Sequence, residues 1–196
     1  MKKEGVLILE CLKESDPGSE GKFLAHMFNI MDVKHQYIEV ENSYQFLVLL
    51  RKSPYKIIHI ATHGSLSKEN KFIGLWMKQS IVDVKKINIL KNSLKDCTIV
   101  ITACKSGDLR FLNQFIEITS CEFLIAPIGS PTFYNSIFFC HVFYHKLFIL
   151  KKEIKKILFE YDKRYKNPHG FFQISYDEFW YKMINNKLMT IKKKLK

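Results

Sequence analysis

The sequence predicts a three-layer α/β/α sandwich with a mainly parallel central sheet. Three observations predict it. Short apolar runs rich in Val and Ile alternate with amphipathic stretches of helical period. The connections between them are short and marked by Pro, Gly, Asn and Ser. Two of the strand-like runs, Ile57-Ile58-His59-Ile60-Ala61-Thr62-His63-Gly64 and Ile99-Val100-Ile101-Thr102-Ala103-Cys104-Lys105-Ser106-Gly107, end abruptly in a reactive side chain. In an open α/β sheet, ligands bind beyond the carboxyl ends of the strands, so these two ends point at one crevice.

The elements follow in order. Val6–Glu10 reads as a buried strand, and Ser15-Asp16-Pro17-Gly18-Ser19 as a loop. Phe23–Ile30 is a helix with Phe23, Met27 and Ile30 on one face. Lys34–Val40 is a strand, and Asn42 or Ser43 caps a helix that runs to Arg51 and ends at Ser53-Pro54. Lys56–Thr62 is the next strand. Phe72–Met77 reads as an edge strand or short hairpin, and Ile81–Leu94 as a weak helix. Thr98–Ala103 is a strand, Leu109–Ile118 a helix and Phe123–Pro127 a strand. Pro131–Leu150 predicts a long buried helix and Glu153–Tyr165 an amphipathic one. Phe171–Ile174 reads as a final edge strand, with a helix over Asp177–Lys187. No internal repeat or linker divides the chain, so residues 1–190 are expected to form one domain and residues 191–196 a basic tail.

Composition narrows the function classes. At 196 residues and 47% apolar, the chain has material for a sizeable core, which argues against disorder. The net charge of +12 is uneven: residues 151–196 hold 13 Lys/Arg against 5 Asp/Glu. The terminal stretch Ile191–Lys196 lacks interleaved aromatics and no nucleic-acid motif is visible, so a solvated face or a surface for an acidic protein is expected over nucleic acid. Five cysteines at irregular spacing, with no CxxC pair, suggest neither a disulfide framework nor a structural zinc site. No secretory leader is apparent, and the apolar stretch Phe133–Leu150 carries Asn135, Ser136, His141, His145 and Lys146, which suit a buried helix better than a membrane span. A reducing, cytoplasmic setting is expected.

The two strand ends carry the chemistry. Cysteine is nucleophilic as its thiolate, and a spatially adjacent histidine can protonate the departing amine and then activate water. His63 and Cys104 are therefore the candidate catalytic pair. Gly64, without a Cβ, lets substrate approach and offers its N–H to a developing oxyanion; the N–H of Cys104 is the second candidate donor. Ser106 and Gly107 make a tight turn that exposes the thiol. Either residue alone reads as structural, because a buried Cys is often a small hydrophobe and a strand-end His-Gly often a plain turn. Their joint placement shifts the reading to function. His59 has the strand parity of His63 and reads as a satisfied core histidine. His141 and His145 lie one helical turn apart with no acidic or Cys partner nearby, so no metal is expected there.

His59-Ile60-Ala61-Thr62-His63-Gly64 and Ile101-Thr102-Ala103-Cys104-Lys105-Ser106-Gly107 resemble the two signature blocks of the CHAT family, caspase-like cysteine peptidases of clan CD. A third block, a strand then a turn then Phe143-Tyr144-His145-Lys146-Leu147, follows in the family's order. The resemblance covers roughly residues 56–150. It implies a caspase-like fold, a His63/Cys104 dyad and Gly64 in the oxyanion hole, with no cofactor. It also implies a substrate pocket built from the loop after the first strand, the residue two before the nucleophile, and the loop after the next strand. Those positions are represented here by Asp16, Thr102 and Ser130, with Asp108 a further acid beside the thiol. Glu14 and Asp16 hint at a basic residue before the scissile bond. The chain lacks the Trp/Val-x-Asp turn common in the family and an attached repeat domain. Small stand-alone enzymes of this type resemble bacterial immune or cell-death proteases, which implies a protein substrate such as a pore-forming or other effector encoded nearby. The alternatives are a catalytically silent module that holds a peptide in the same crevice, and a nucleic-acid-associated protein using the basic face.

Overall fold

Both faces of the first strand are buried: Val6, Leu7, Ile8 and Leu9 are each no more than 1% exposed. A strand covered on both sides belongs in the middle of a layered α/β structure. The computed structural model describes residues 2–165 and the backbone of three further strands, Phe171–Ser175, Phe179–Ile184 and Lys187–Lys192. The chain runs β1 (Lys3–Cys11), α1 (Glu20–Ile30), β2 (His35–Glu39), α2 (Ser43–Lys52), β3 (Tyr55–Thr62), β4 (Gly64–Leu66), β5 (Phe72–Met77) and β6 (Ser80–Val82). It continues through α3 (Val84–Ile87), β7 (Thr98–Ile101), α4 (Leu109–Thr119), β8 (Phe123–Pro127), α5 (Phe133–Tyr144), α6 (Ile154–Tyr165), β9 (Phe171–Ser175), β10 (Phe179–Ile184) and β11 (Lys187–Lys192).

The sheet order is β2-β1-β3-β7-β8-β9-β10-β11. The first five are parallel. The last three are antiparallel additions at the β8 side. Side chains alternate across it, as the period of two demands. Leu7, Leu9, Ile58, Ile60, Ile99 and Ile101 face Phe46 and Leu50 of α2 and Phe111, Leu112 and Phe115 of α4. Val6, Ile8, Ile57, Val100 and Ile125 face Leu24 and Phe28 of α1, Phe139 and Phe143 of α5, and Ile157 of α6. Burying side chains of this size contributes about 1.5–3 kcal/mol each, which fixes the register of the strands that end at the crevice. The three-layer α/β/α expectation is met.

Local signals place the helices around the crevice. Ser19 caps α1 by accepting the Lys22 N–H, Asn42 caps α2, and Asp108 caps α4 by accepting the Phe111 N–H at 3.0 Å. The latter two helices coincide with their expected spans to within one residue.

Four expectations are corrected. Ile81–Leu94 is not one helix. Ser80–Val82 is a strand of a small antiparallel sheet β4-β5-β6, and Asp83 then caps only the short α3 and a 3-10 turn at Asn88–Leu90. Pro131–Leu150 is not continuous α-helix: α5 ends at Tyr144 and a π-helical turn covers His145–Ile149. Phe171–Ser175 is a strand but not an edge, because it pairs with β8 and β10. The helix expected over Asp177–Lys187 is replaced by β10 and β11, paired antiparallel from Phe179↔Lys192 to Ile184↔Lys187. A run opening Phe179-Trp180-Tyr181 suits a pleated surface, and an open sheet edge beside it decides the outcome. Of the expected basic tail, residues 193–196 lie outside the described residues. Among the described residues, no helix is long and apolar enough to cross a membrane.

Candidate active site

The carboxyl end of β3 is tied down before it delivers its histidine. Thr62 Oγ1 donates to the carbonyls of Trp76 at 2.6 Å and Cys11 at 3.1 Å, and the Trp76 N–H donates to the His63 carbonyl at 2.9 Å. The His63 ring meets the Trp76 ring edge-on at 5.7 Å. Its Nε2 lies 2.7 Å from Asp16 Oδ2. A carboxylate only accepts, so the proton of this bond sits on Nε2 and the Nδ1 lone pair is left free to take one. Asp16 is held in turn, since the same Oδ2 accepts the Lys13 N–H at 2.7 Å.

The cysteine sits in a stapled turn. After β7, Lys105 takes the left-handed conformation with φ 56°. Its N–H donates to the Gly129 carbonyl at 2.8 Å, and the Gly107 N–H to the Pro127 carbonyl at 2.7 Å. A Cβ on Gly107 would stand 2.7 Å from the Pro127 carbonyl carbon, so only glycine allows this approach. Ser106 Oγ donates back to the Ala103 carbonyl at 2.7 Å. The turn is thereby locked to the loop after β8, with Asp108 opening α4 directly behind it. Strained backbone next to a reactive side chain is a feature of functional turns.

The two ends touch. A Cβ on Gly64 would lie 2.0 Å from the Cys104 carbonyl oxygen. Contact at that range brings the residue after His63 against the backbone of the cysteine. Cys104 is also the partly exposed cysteine; Cys11, Cys97, Cys121 and Cys140 are buried. Burial pushes the last four thiols up, that of Cys121 to about 12. Chemistry by thiolate at the crevice therefore falls to Cys104.

The residues expected around the substrate are dispersed in role. Asp16 lies beside His63, Thr102 is buried and donates to Glu20 Oε1 at 2.8 Å, and Asp108 is spent on the helix cap. Ser130 is exposed in the loop after β8. A cavity of about 750 Å³ lies on the β1–β2 side of His63, lined by Cys11–Ser15, Val40, Trp76 and Lys78 among others.

Sequence reasoning missed Glu10, Glu20 and Trp76. Glu10 is buried in β1 and accepts from the Gly21 N–H at 2.6 Å, from Tyr37 at 2.7 Å and from Ser19. Glu20 is buried and bonds His59 Nε2 at 2.6 Å, while His59 Nδ1 meets the Tyr144 hydroxyl at 3.0 Å. His59 is thus the satisfied core histidine expected of it, and Tyr144 of the third sequence block is one of its partners. Glu20, His59 and Cys140 bring ligand atoms within 4.8 Å of one another, the one such metal-competent group among the described residues. Glu20 Oε1 is already shared by His59 and Thr102, with Cys140 Sγ at 4.0 Å, so hydrogen bonds account for all three side chains. His141 and His145 are exposed and stacked at 6.4 Å.

No family model matches the chain, and no curated protein matches it in sequence. Among solved structures it is similar to a chain of the Saccharomyces cerevisiae separase–securin complex, with a TM-score of 0.55 and 14% identity over 79% of this chain. The fold is caspase-like. The match covers 10% of that much longer chain, so what the two share is the architecture of this one unit. That architecture places β3 and β7 side by side, with their carboxyl ends at one crevice.

Proposed function

We propose that the protein is a cysteine endopeptidase with a His63/Cys104 dyad oriented by Asp16. The observation that carries the reading is the meeting of the two strand ends, Gly64 against Cys104, beside a histidine whose Nε2 is held by a carboxylate. In this mechanism the Cys104 thiolate attacks the scissile carbonyl carbon, forming a C–S bond while the carbonyl electrons move to oxygen. The Gly64 and Cys104 N–H groups face that oxyanion; one such donor is worth roughly 10²–10³ in rate. Protonated His63 gives its proton to the amine nitrogen as the C–N bond breaks. Neutral His63 then takes a proton from water, whose oxygen attacks the thioester and regenerates the thiol. Asp16 keeps the ring in one tautomer and one orientation.

The resemblance to CHAT peptidases extends the proposal to a cytoplasmic enzyme that cuts one protein partner, such as an effector encoded nearby. The test is labelling with a peptide fluoromethylketone, followed by incubation with products of neighbouring genes. Cys104→Ala and His63→Ala are expected to abolish both reactions. Cleavage by both variants at the wild-type rate would sink the dyad assignment.

A further inference from the structure

We infer that Glu20 is a positioning residue for the proposed dyad: one buried carboxylate sets the spacing of the two strands and the loop that carry Cys104, His63 and Asp16. The inference rests on the peptidase reading above. The β3–β7 ladder runs from Ile57↔Thr98 to Ile60↔Ile101 and stops there. Beyond it, the Thr102 N–H still reaches the Ile60 carbonyl at 3.1 Å. His63 and Cys104 both lie past this point, where no ladder between their strands holds them in step.

Glu20 supplies the missing tie. Its Oε1 bonds His59 Nε2 on β3 at 2.6 Å and Thr102 Oγ1, just past β7, at 2.8 Å. Thr102, two residues before Cys104, lies past the ladder, whereas His59, four before His63, is still in register with Val100, so Glu20 ties the stretch leading to Cys104 back to the ordered part of β3. Glu20 also opens α1, four residues after Asp16. Its neighbours Ser19 and Gly21 are both fastened to Glu10 of β1. The loop bearing Asp16 is therefore anchored, at its α1 end, to β1, β3 and β7 together. The carboxylate suits the first turn of α1 electrostatically, and a 4% exposed acceptor with strong donors holds fixed geometry.

The experiment uses the full chain with Glu20→Gln, Glu20→Leu and Thr102→Val, each checked for folding by circular dichroism. The readout is the rate at which iodoacetamide alkylates Cys104, followed by mass spectrometry across about pH 5–9, which requires no substrate. Gln keeps an acceptor oxygen for both donors and is expected to react within about threefold of wild type. Leu removes the acceptor and is expected to slow the reaction about thirtyfold at neutral pH, with the pH profile of His63→Ala. Thr102→Val keeps the volume, loses the hydroxyl that bonds Glu20 at 2.8 Å and the Ile60 carbonyl at 3.4 Å, and is expected to fall between them, so the test still decides if Glu20→Leu does not fold. A folded Leu or Val variant with the wild-type profile overturns the inference. So does a stoichiometric metal ion in the purified protein, since Glu20 would then be its ligand. If wild type and His63→Ala already alkylate alike, the peptidase reading itself has failed, an outcome distinct from failure of Glu20 alone.

Discussion

His63 Nε2 stands 2.7 Å from Asp16 Oδ2, joining residues 47 positions apart. The bond assigns the acid of the first loop to the histidine. Asp16→Asn is expected to lower the labelling of Cys104 by a peptide fluoromethylketone by roughly a hundredfold, because the amide can hold the wrong tautomer as readily as the right one. Competition with reversible peptide aldehydes should show affinity changed much less than rate. Labelling at the wild-type rate would remove Asp16 from the mechanism.

Gly64→Ala tests the contact between the strand ends. The added methyl would meet the Cys104 carbonyl oxygen at 2.0 Å, a backbone atom that cannot turn aside. The chain is expected to separate the two ends, losing labelling by about a hundredfold or more. Gly18→Ala serves as the control, since its methyl would meet only the Phe133 ring at 3.3 Å.

Thiol reactivity should sort by exposure. In the native protein a disulfide reagent is expected to modify Cys104 first, with Cys121 and Cys140 reacting only on unfolding because burial holds their thiols protonated. Peptide mapping after partial modification reads the order. Native modification of Cys121 ahead of Cys104 would contradict the assignment.

Tyr144→Phe removes the partner of His59 Nδ1 and leaves that nitrogen buried without a bond. The expected cost is about 1–3 kcal/mol, read as a lower urea midpoint with unchanged slope. A variant as stable as wild type would mean that His59 is satisfied through Glu20 alone.

The Lys146 and Lys152 ammonium groups beside Glu160 hold its carboxyl down at about 2 from an ordinary 4.5. A folded value below the unfolded one stabilises at pH above about 4.5, and that contribution is lost as pH falls toward 2. The side chains are partly exposed, so salt should weaken the effect. Wild type is expected to be more stable than Glu160→Gln at pH 6 in low salt, with the two curves converging on acidification. Curves that stay parallel to pH 2 would show that the ion pairs contribute nothing.

Most of the parallel layer was legible because its signals are local. An apolar β-branched run such as Val6–Leu9 or Ile99–Ile101 specifies a buried strand wherever it sits. Asn42 and Asp108 mark helix starts through bonds that span three residues. The reactive pair was legible for the same reason, since each residue closes a strand and precedes a small-residue turn. The segment after Tyr165 misled because Asp177–Lys187 carries enough apolar and charged residues to fit a helix on paper. Its partners β9 and β11 are its neighbours in the chain, but this hairpin run joins the main sheet only because β9 pairs with β8, which lies before α5 and α6.

By itself, then, the sequence determined the α/β class, the core strands and the candidates His63, Gly64 and Cys104. Only the tertiary structure decided that Asp16 faces His63, that Asp108 caps a helix, and that Glu20 ties His59 to Thr102. Periodicity reports which face a residue occupies. A bond between single side chains 39 or 82 residues apart leaves no period to read, and forms only when packing brings their elements together.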